Sequence, residues 1–217
     1  MLTRKLTSLI LCSAIALAFA GCGSAPAASA TSGPSENTAD NTAESTADNT
    51  ADSTTEAPAP DNSKDEFVSE YAAFKVTSPN LNGGKWDDKI GERAEAKGVS
   101  PALSWEPIEG ASCYAIYMVD LDTHYFLHWV QGDITETALA EGGAAPGKYI
   151  GPYPEPGSTH RYNIYVIALK NPVERVKGGS NSINPKFPEF IKALDTDASG
   201  NTGNIISVGR VCGTYTA

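Results

Sequence analysis

All three histidines of this 217-residue chain fall inside two short polar-aromatic clusters. One is Asp120-Leu121-Asp122-Thr123-His124-Tyr125-Phe126-Leu127-His128-Trp129; the other is Gly151-Pro152-Tyr153-Pro154-Glu155-Pro156-Gly157-Ser158-Thr159-His160-Arg161-Tyr162. An imidazole can hold an anion, a metal or a proton near neutral pH. For an anion, His128 and His160 would donate to phosphate oxygens and Asp120 would orient a ring. Gly151 and Gly157 permit turns that bring backbone close to a ligand, the prolines stiffen them, and Tyr162 offers a hydroxyl and a ring wall. For a metal, Asp120, His124, His128 and His160 suffice for an open zinc site, which gives a metal-dependent hydrolase as the alternative reading. No His-Glu-x-x-His motif accompanies them. A serine hydrolase lacks its Gly-x-Ser-x-Gly elbow, and Ser158 lies in a turn without an oxyanion partner. The residues therefore offer no credible catalytic constellation, and a binding protein is the expectation.

Blander roles stand beside these. His128 and His160 also fit buried structural histidines, and His124 fits a surface loop. Asp120 fits a helper to histidine, a partner for a ligand ammonium, or a loop acceptor, and Asp122 a loop acceptor. Trp105 and Trp129 fit core packing.

The elements that must position these groups read mostly as strands. Residues 115–119 are a continuous apolar run, the pattern of a strand buried on both faces. A second strand follows over 127–134, with Trp129 on one side and His128 and Val130 on the other. Over 160–169 the even positions His160, Tyr162, Ile164, Val166 and Ala168 share a face, because successive side chains alternate. Residues 204–215 predict a strand pair or one bent strand, with Gly209 and Gly213 as bulges. Residues 72–77 predict an early strand. Phe187, Phe190, Ile191 and Leu194 recur at helical spacing, with Pro188 tolerated in the first turn. Strands, Gly- and Pro-rich connections and one late helix predict a mainly β fold, a sandwich with helical trim. His128 and His160 fall where strands meet loops, which is where such a fold builds sites.

The ends carry addresses rather than chemistry. Residues 1–21 read as an export signal: Arg4 and Lys5 precede a short apolar run over 9–17, too short to span a bilayer. Phe19-Ala20-Gly21-Cys22 resembles a bacterial lipobox, which would lipidate Cys22; an ordinary secretory signal is the alternative. Residues 22–66 hold Thr-Ala-Asp-Asn-like repeats with no large apolar side chain until Phe67, and nine of the chain's 26 acidic residues. Such a segment cannot offset the entropy of ordering and predicts a self-repelling tether. Residues 67–217 predict one domain with a core. It has no basic run, which argues against nucleic acid. The expected location is the cell envelope, extracytoplasmic and lipid-anchored. Cys113 and Cys212 remain as the domain's thiols, either a disulfide in an oxidising exterior or two buried free cysteines.

Four blocks in this order resemble the phosphatidylethanolamine-binding protein family, including its bacterial branch of Raf-kinase-inhibitor-like proteins. They are Ser100-Pro101-Ala102-Leu103-Ser104-Trp105, Asp120-Leu121-Asp122, His128-Trp129, and Tyr149-Ile150-Gly151-Pro152 through His160-Arg161-Tyr162. The resemblance covers nearly all of the domain from Phe74 onward. It implies a β-sandwich of antiparallel sheets with one or two short peripheral helices. It also implies a small anion pocket whose residues carry over to Asp120, His128, Pro152, His160 and Tyr162. Members bind phosphate-bearing head groups, some inhibit kinases or serine proteases, and the resemblance calls for no metal or other cofactor. The implied partners are a phosphate or phospholipid head group and an unspecified protein target. Leu121 and His124 replace the prolines of the family's Asp-Pro-Asp-Ala-Pro, which predicts a different loop backbone.

Overall fold

The central strands leave no polar face because the fold covers their sheet on both sides. The computed structural model describes residues 60–92 and 98–217. The expected export signal, Cys22 and residues 23–59 of the expected tether lie outside the described residues. The strands are β1 (Ala73–Phe74), β2 (Val76–Thr77), β3 (Leu81–Asn82), β4 (Lys85–Trp86), β5 (Leu103–Trp105), β6 (Cys113–Asp120), β7 (Phe126–Ile134), β8 (Ala138–Leu139), β9 (Thr159–Leu169), β10 (Ser182–Ile183) and β11 (Ile205–Thr216). The helix α1 spans Phe187–Ala193.

The large sheet runs β10-β7-β6-β9-β11-β4-β3, with β1 also on β11, and the small sheet runs β2-β5-β8. Between the sheets, Ile116, Met118, Ile164 and Val166 pack with Val76, Leu103 and Trp105. On the opposite face, Ala115, Tyr117, Val119 and Ile167 pack under Phe187, Ile191 and Leu194 of the helical segment and under Phe67 and Val68. Two covers explain why β6 is buried at all eight positions and shows no alternation. Each fully buried aliphatic or Phe side chain contributes about 1.5–3 kcal/mol relative to exposure.

The sheets are not purely antiparallel. β11 pairs parallel with both β1 and β4, so the large sheet is mixed. Hairpins force antiparallel neighbours, whereas β1 and β4 reach β11 from far along the chain and escape that constraint. The early strand also splits, β1 joining the large sheet and β2 the small one. Gly209 and Gly213 keep regular partners, Val166 and Tyr162, and the irregularity of β11 lies between Ile205 and Ser207. The two glycines instead give room to side chains: a Cβ would come within 2.4 Å of Val76 at Gly209 and of Leu81 at Gly213.

The packed domain begins earlier than residue 67. Asn62 Nδ2 donates to the Val208 carbonyl at 2.9 Å, and Arg210 Nη2 donates to the Asp61 carbonyl at 2.7 Å. Buried Asp65 accepts from Arg210 Nη1 at 3.2 Å and from Tyr165 Oη at 3.0 Å. Residues 61–66 look like tether because they are polar, but Arg210 gives those polar groups partners.

The possible Cys113–Cys212 disulfide is not formed. Both cysteines are free, Cys113 buried and Cys212 exposed. Cys113 pairs across from Leu169 at the end of β9 and Cys212 across from Asn163 near its middle. Six residues of strand separate those positions by about 20 Å, far beyond disulfide reach.

Candidate functional site

β7, β6 and β9 lie side by side, and their ends build a cavity of about 250 Å³. β6 ends at Asp120, whose ladder partners are Phe126 on β7 and Tyr162 on β9. His160 sits two residues before Tyr162 and shares its face. A β-bulge places His128. Met118 pairs with Trp129 and Val119 with Leu127, so His128 is the extra residue without a partner on β6. The bulge shifts the phase of β7: Leu127 enters the helix-side core, while Trp129 enters the core between the sheets. It turns the His128 ring against Phe126 and Tyr162, at centroid distances of 4.9 and 5.2 Å. Bulges commonly re-aim a side chain in this way beside functional sites.

Asp120, His128, His160 and Tyr162 all line this cavity. Pro152 does not. Its carbonyl accepts from the Glu92 N–H at 2.8 Å, and the chain reaches the cavity at Tyr153, Pro154 and Glu155 instead. Sequence reasoning missed Thr123, Phe126 and Ile183 as lining residues. Thr123 had a signal in its place three residues after Asp120, within reach of that carboxylate. Ile183 had none, because it arrives only through pairing of β10 with Phe126 on β7.

Asp120 is an orienting group. Its Oδ2 accepts from His160 Nδ1 at 2.7 Å and from Thr123 Oγ1 at 3.2 Å, and its Oδ1 accepts from the Asp122 N–H at 2.8 Å. With both oxygens engaged and only 3% of the residue exposed, it fits the helper role rather than that of a partner for a ligand ammonium. Asp122 is a loop acceptor: it receives the Arg161 N–H at 2.7 Å and Nη2 at 2.6 Å, and the guanidinium holds its carboxyl below the usual range.

His128 is clamped twice by one residue. Its Nδ1 donates to the Ile150 carbonyl at 3.1 Å, and its own carbonyl accepts from the Ile150 N–H at 2.8 Å. Burial pushes its pKa down to about 4, only partly offset by that carbonyl and by the charge of Asp120. His128 is therefore neutral near pH 7, and its Nδ1–H is taken by Ile150 rather than left to donate to a phosphate as the sequence suggested. Gly151 makes the clamp possible, since a Cβ there would lie 2.4 Å from both the Glu92 nitrogen and the Ile90 carbonyl oxygen. Tyr162 Oη is buried beside the Asp120 carboxylate, with no hydrogen bond of full geometry among the described residues. Burial, reinforced by the negative charge of Asp120, pushes the phenol's pKa upward and keeps its hydrogen in place.

His124 stands apart from this cavity, on a surface hollow with Leu121, Asp122 and Tyr125. Among the described residues no group of three or more His, Cys, Asp or Glu side chains could hold a metal ion. The substituted prolines have a backbone reason. His124 has φ 48°, which a proline ring cannot adopt, and the Leu121 N–H donates to the Arg161 carbonyl at 2.9 Å.

Residues 76–204 match the family model described as phosphatidylethanolamine-binding protein. None of the curated proteins gives a significant match. Two crystal structures are similar. Escherichia coli YbcL, described as a new member of the mammalian PEBP family, is 22% identical with a TM-score of 0.48, covering 66% of this chain and 98% of its own. A PEBP homologue from Chlamydia trachomatis is 23% identical with a TM-score of 0.48, covering 67% and 98%.

Proposed function

The chain belongs to the phosphatidylethanolamine-binding protein family, and from that premise we propose that its cavity binds phosphate-bearing ligands without turning them over. The observation that carries this reading is the His160–Asp120 pair. A buried carboxylate 2.7 Å from Nδ1 fixes an imidazole that lines the cavity and keeps its Nε2 free of protein partners among the described residues. Once protonated, such a ring forms an ion pair with Asp120 and offers Nε2–H to a phosphate oxygen. Tyr162 adds a buried hydroxyl beside the Asp120 carboxylate, whose O–H can turn to a ligand oxygen.

The signal and the lipobox-like Phe19-Ala20-Gly21-Cys22 support an extracytoplasmic, lipid-anchored location. As a proposed tether, a random-coil segment between Cys22 and the start of the packed domain would span about 30–37 Å on average. Titration calorimetry with phosphoethanolamine and inorganic phosphate tests the binding. A charge-assisted bond contributes about 1.5–3 kcal/mol, so His160→Ala should weaken affinity by roughly one to two orders of magnitude. Undiminished binding in the His128→Ala, His160→Ala double variant would remove the site. EDTA-sensitive turnover of a phosphate ester would replace binding with metal-dependent hydrolysis.

A further inference from the structure

Both cavity histidines commit their Nδ1 positions to the protein. His160 Nδ1 faces the Asp120 carboxylate at 2.7 Å, and His128 Nδ1 faces the Ile150 carbonyl at 3.1 Å. A carbonyl oxygen only accepts, so the hydrogen of neutral His128 resides on Nδ1 and its Nε2 carries a lone pair. His128 is 2% exposed, which works against protonating that nitrogen as well. The groups around the ring are Asp120 at the end of β6, already engaged by His160, Asp122 and Thr123; His160 and Tyr162 on β9; Phe126 on β7; and Tyr153. None of these neighbours is a fixed cation. The cavity therefore pairs one acceptor, His128 Nε2, with two groups able to donate, the Tyr162 hydroxyl and protonated His160.

A phosphate diester presents only acceptor oxygens, which meet the His128 lone pair unfavourably. A monoester in its monoanionic form brings one P–O–H hydrogen along with its acceptors. Resting on the phosphate reading above, we propose that the cavity selects phosphate monoesters over phosphate diesters, His128 Nε2 accepting the P–OH hydrogen while His160 and Tyr162 donate to the other oxygens. The monoester can be soluble or a lipid head group of the phosphatidic acid type. Diester head groups are the disfavoured class.

Titration of the full chain with methyl phosphate and dimethyl phosphate tests this. Near pH 5.5 a phosphate monoester, whose second ionisation lies at about 6, is mainly a monoanion, so the two ligands carry the same charge. Methyl phosphate should bind at least about tenfold tighter, the equivalent of one favourable hydrogen bond replaced by a lone-pair clash. His128→Gln, whose amide can donate, should bring the ratio toward one. Displacement of methyl phosphate by phosphatidylcholine vesicles containing phosphatidic acid marks a lipid-borne monoester, and its absence marks a soluble one. Displacement by phosphatidylcholine alone overturns the selectivity. Equal affinities in the wild-type chain overturn the selectivity and leave the phosphate site standing, whereas no binding of either ligand overturns both.

Discussion

His128 and His160 line the same cavity in opposite surroundings. His160 keeps 23% of its side chain exposed and faces a carboxylate, while His128 is buried against a neutral carbonyl. That contrast predicts a pH signature in stability. Unfolded, His128 takes up a proton below its ordinary 6.5; folded, it resists protonation until about 4. The stabilisation is complete above pH 6.5, falls with pH through that window and levels off below it. Between pH 7 and pH 5 the expected loss is about 2 kcal/mol, by the linkage of a shift of this size. Urea unfolding at the two pH values should show that loss in the wild-type chain and a smaller one in His128→Gln; identical losses would contradict the assignment. That both histidines would come to one cavity was legible from their neighbours in the sequence. Their different proton states were not, because desolvation depends on what packs around a ring.

At the scale of elements, the bulge in β7 and the segment over 149–151 cooperate to hold His128. The bulge leaves it unpaired on β6, and the Ile150 backbone then grips it from the other side. This grip depends on Gly151 lying close to the 90–92 backbone, where a methyl group has no room. Gly151→Ala should therefore destabilise the domain by roughly 1–3 kcal/mol, the usual cost of overpacking. It should also weaken phosphate binding beyond what unfolding explains. Denaturant melts with calorimetry on the residual folded protein check both parts, and a neutral Gly151→Ala would show the contact to be loose. Strand identities in this region follow from apolar runs and alternation. The bulge does not, because one inserted residue changes the phase of β7 without changing its composition.

Over the whole molecule, the start of the domain is set by Arg210 on the last strand. It holds Asp61 and Asp65 directly, with Asn62 on its Nε at 3.1 Å. A chain beginning at residue 67 should lose about 2–4 kcal/mol relative to one beginning at residue 60, from several hydrogen bonds that include charged partners. This corresponds to a drop of several degrees in Tm for a domain of this size. Thermal melts of the two truncations decide it, and equal Tm values would mean that the clasp is idle. The second whole-chain prediction concerns the thiols: peptide mapping of denatured, unreduced protein should find Cys113 and Cys212 both labelled. A recovered Cys113–Cys212 cross-link would contradict the strand register.

Local sequence patterns were enough for the family, the mainly β class, the three long central strands, the helix, and four residues that line the cavity. Those features rest on local patterns: apolar runs, alternation, helical spacing and short motifs. Tertiary structure alone decided the parallel pairing of β11 with β1 and β4, the bulge that turns His128 inward, and the neutral state of that ring. It also decided the clasp on residues 61–66, the distance between the two cysteines, and the arrival of Ile183 in place of Pro152 at the cavity. The bulge is a matter of register between neighbouring strands; the others depend on segments apart in the chain meeting in space, and a one-dimensional pattern carries no record of which backbone closes over a given side chain.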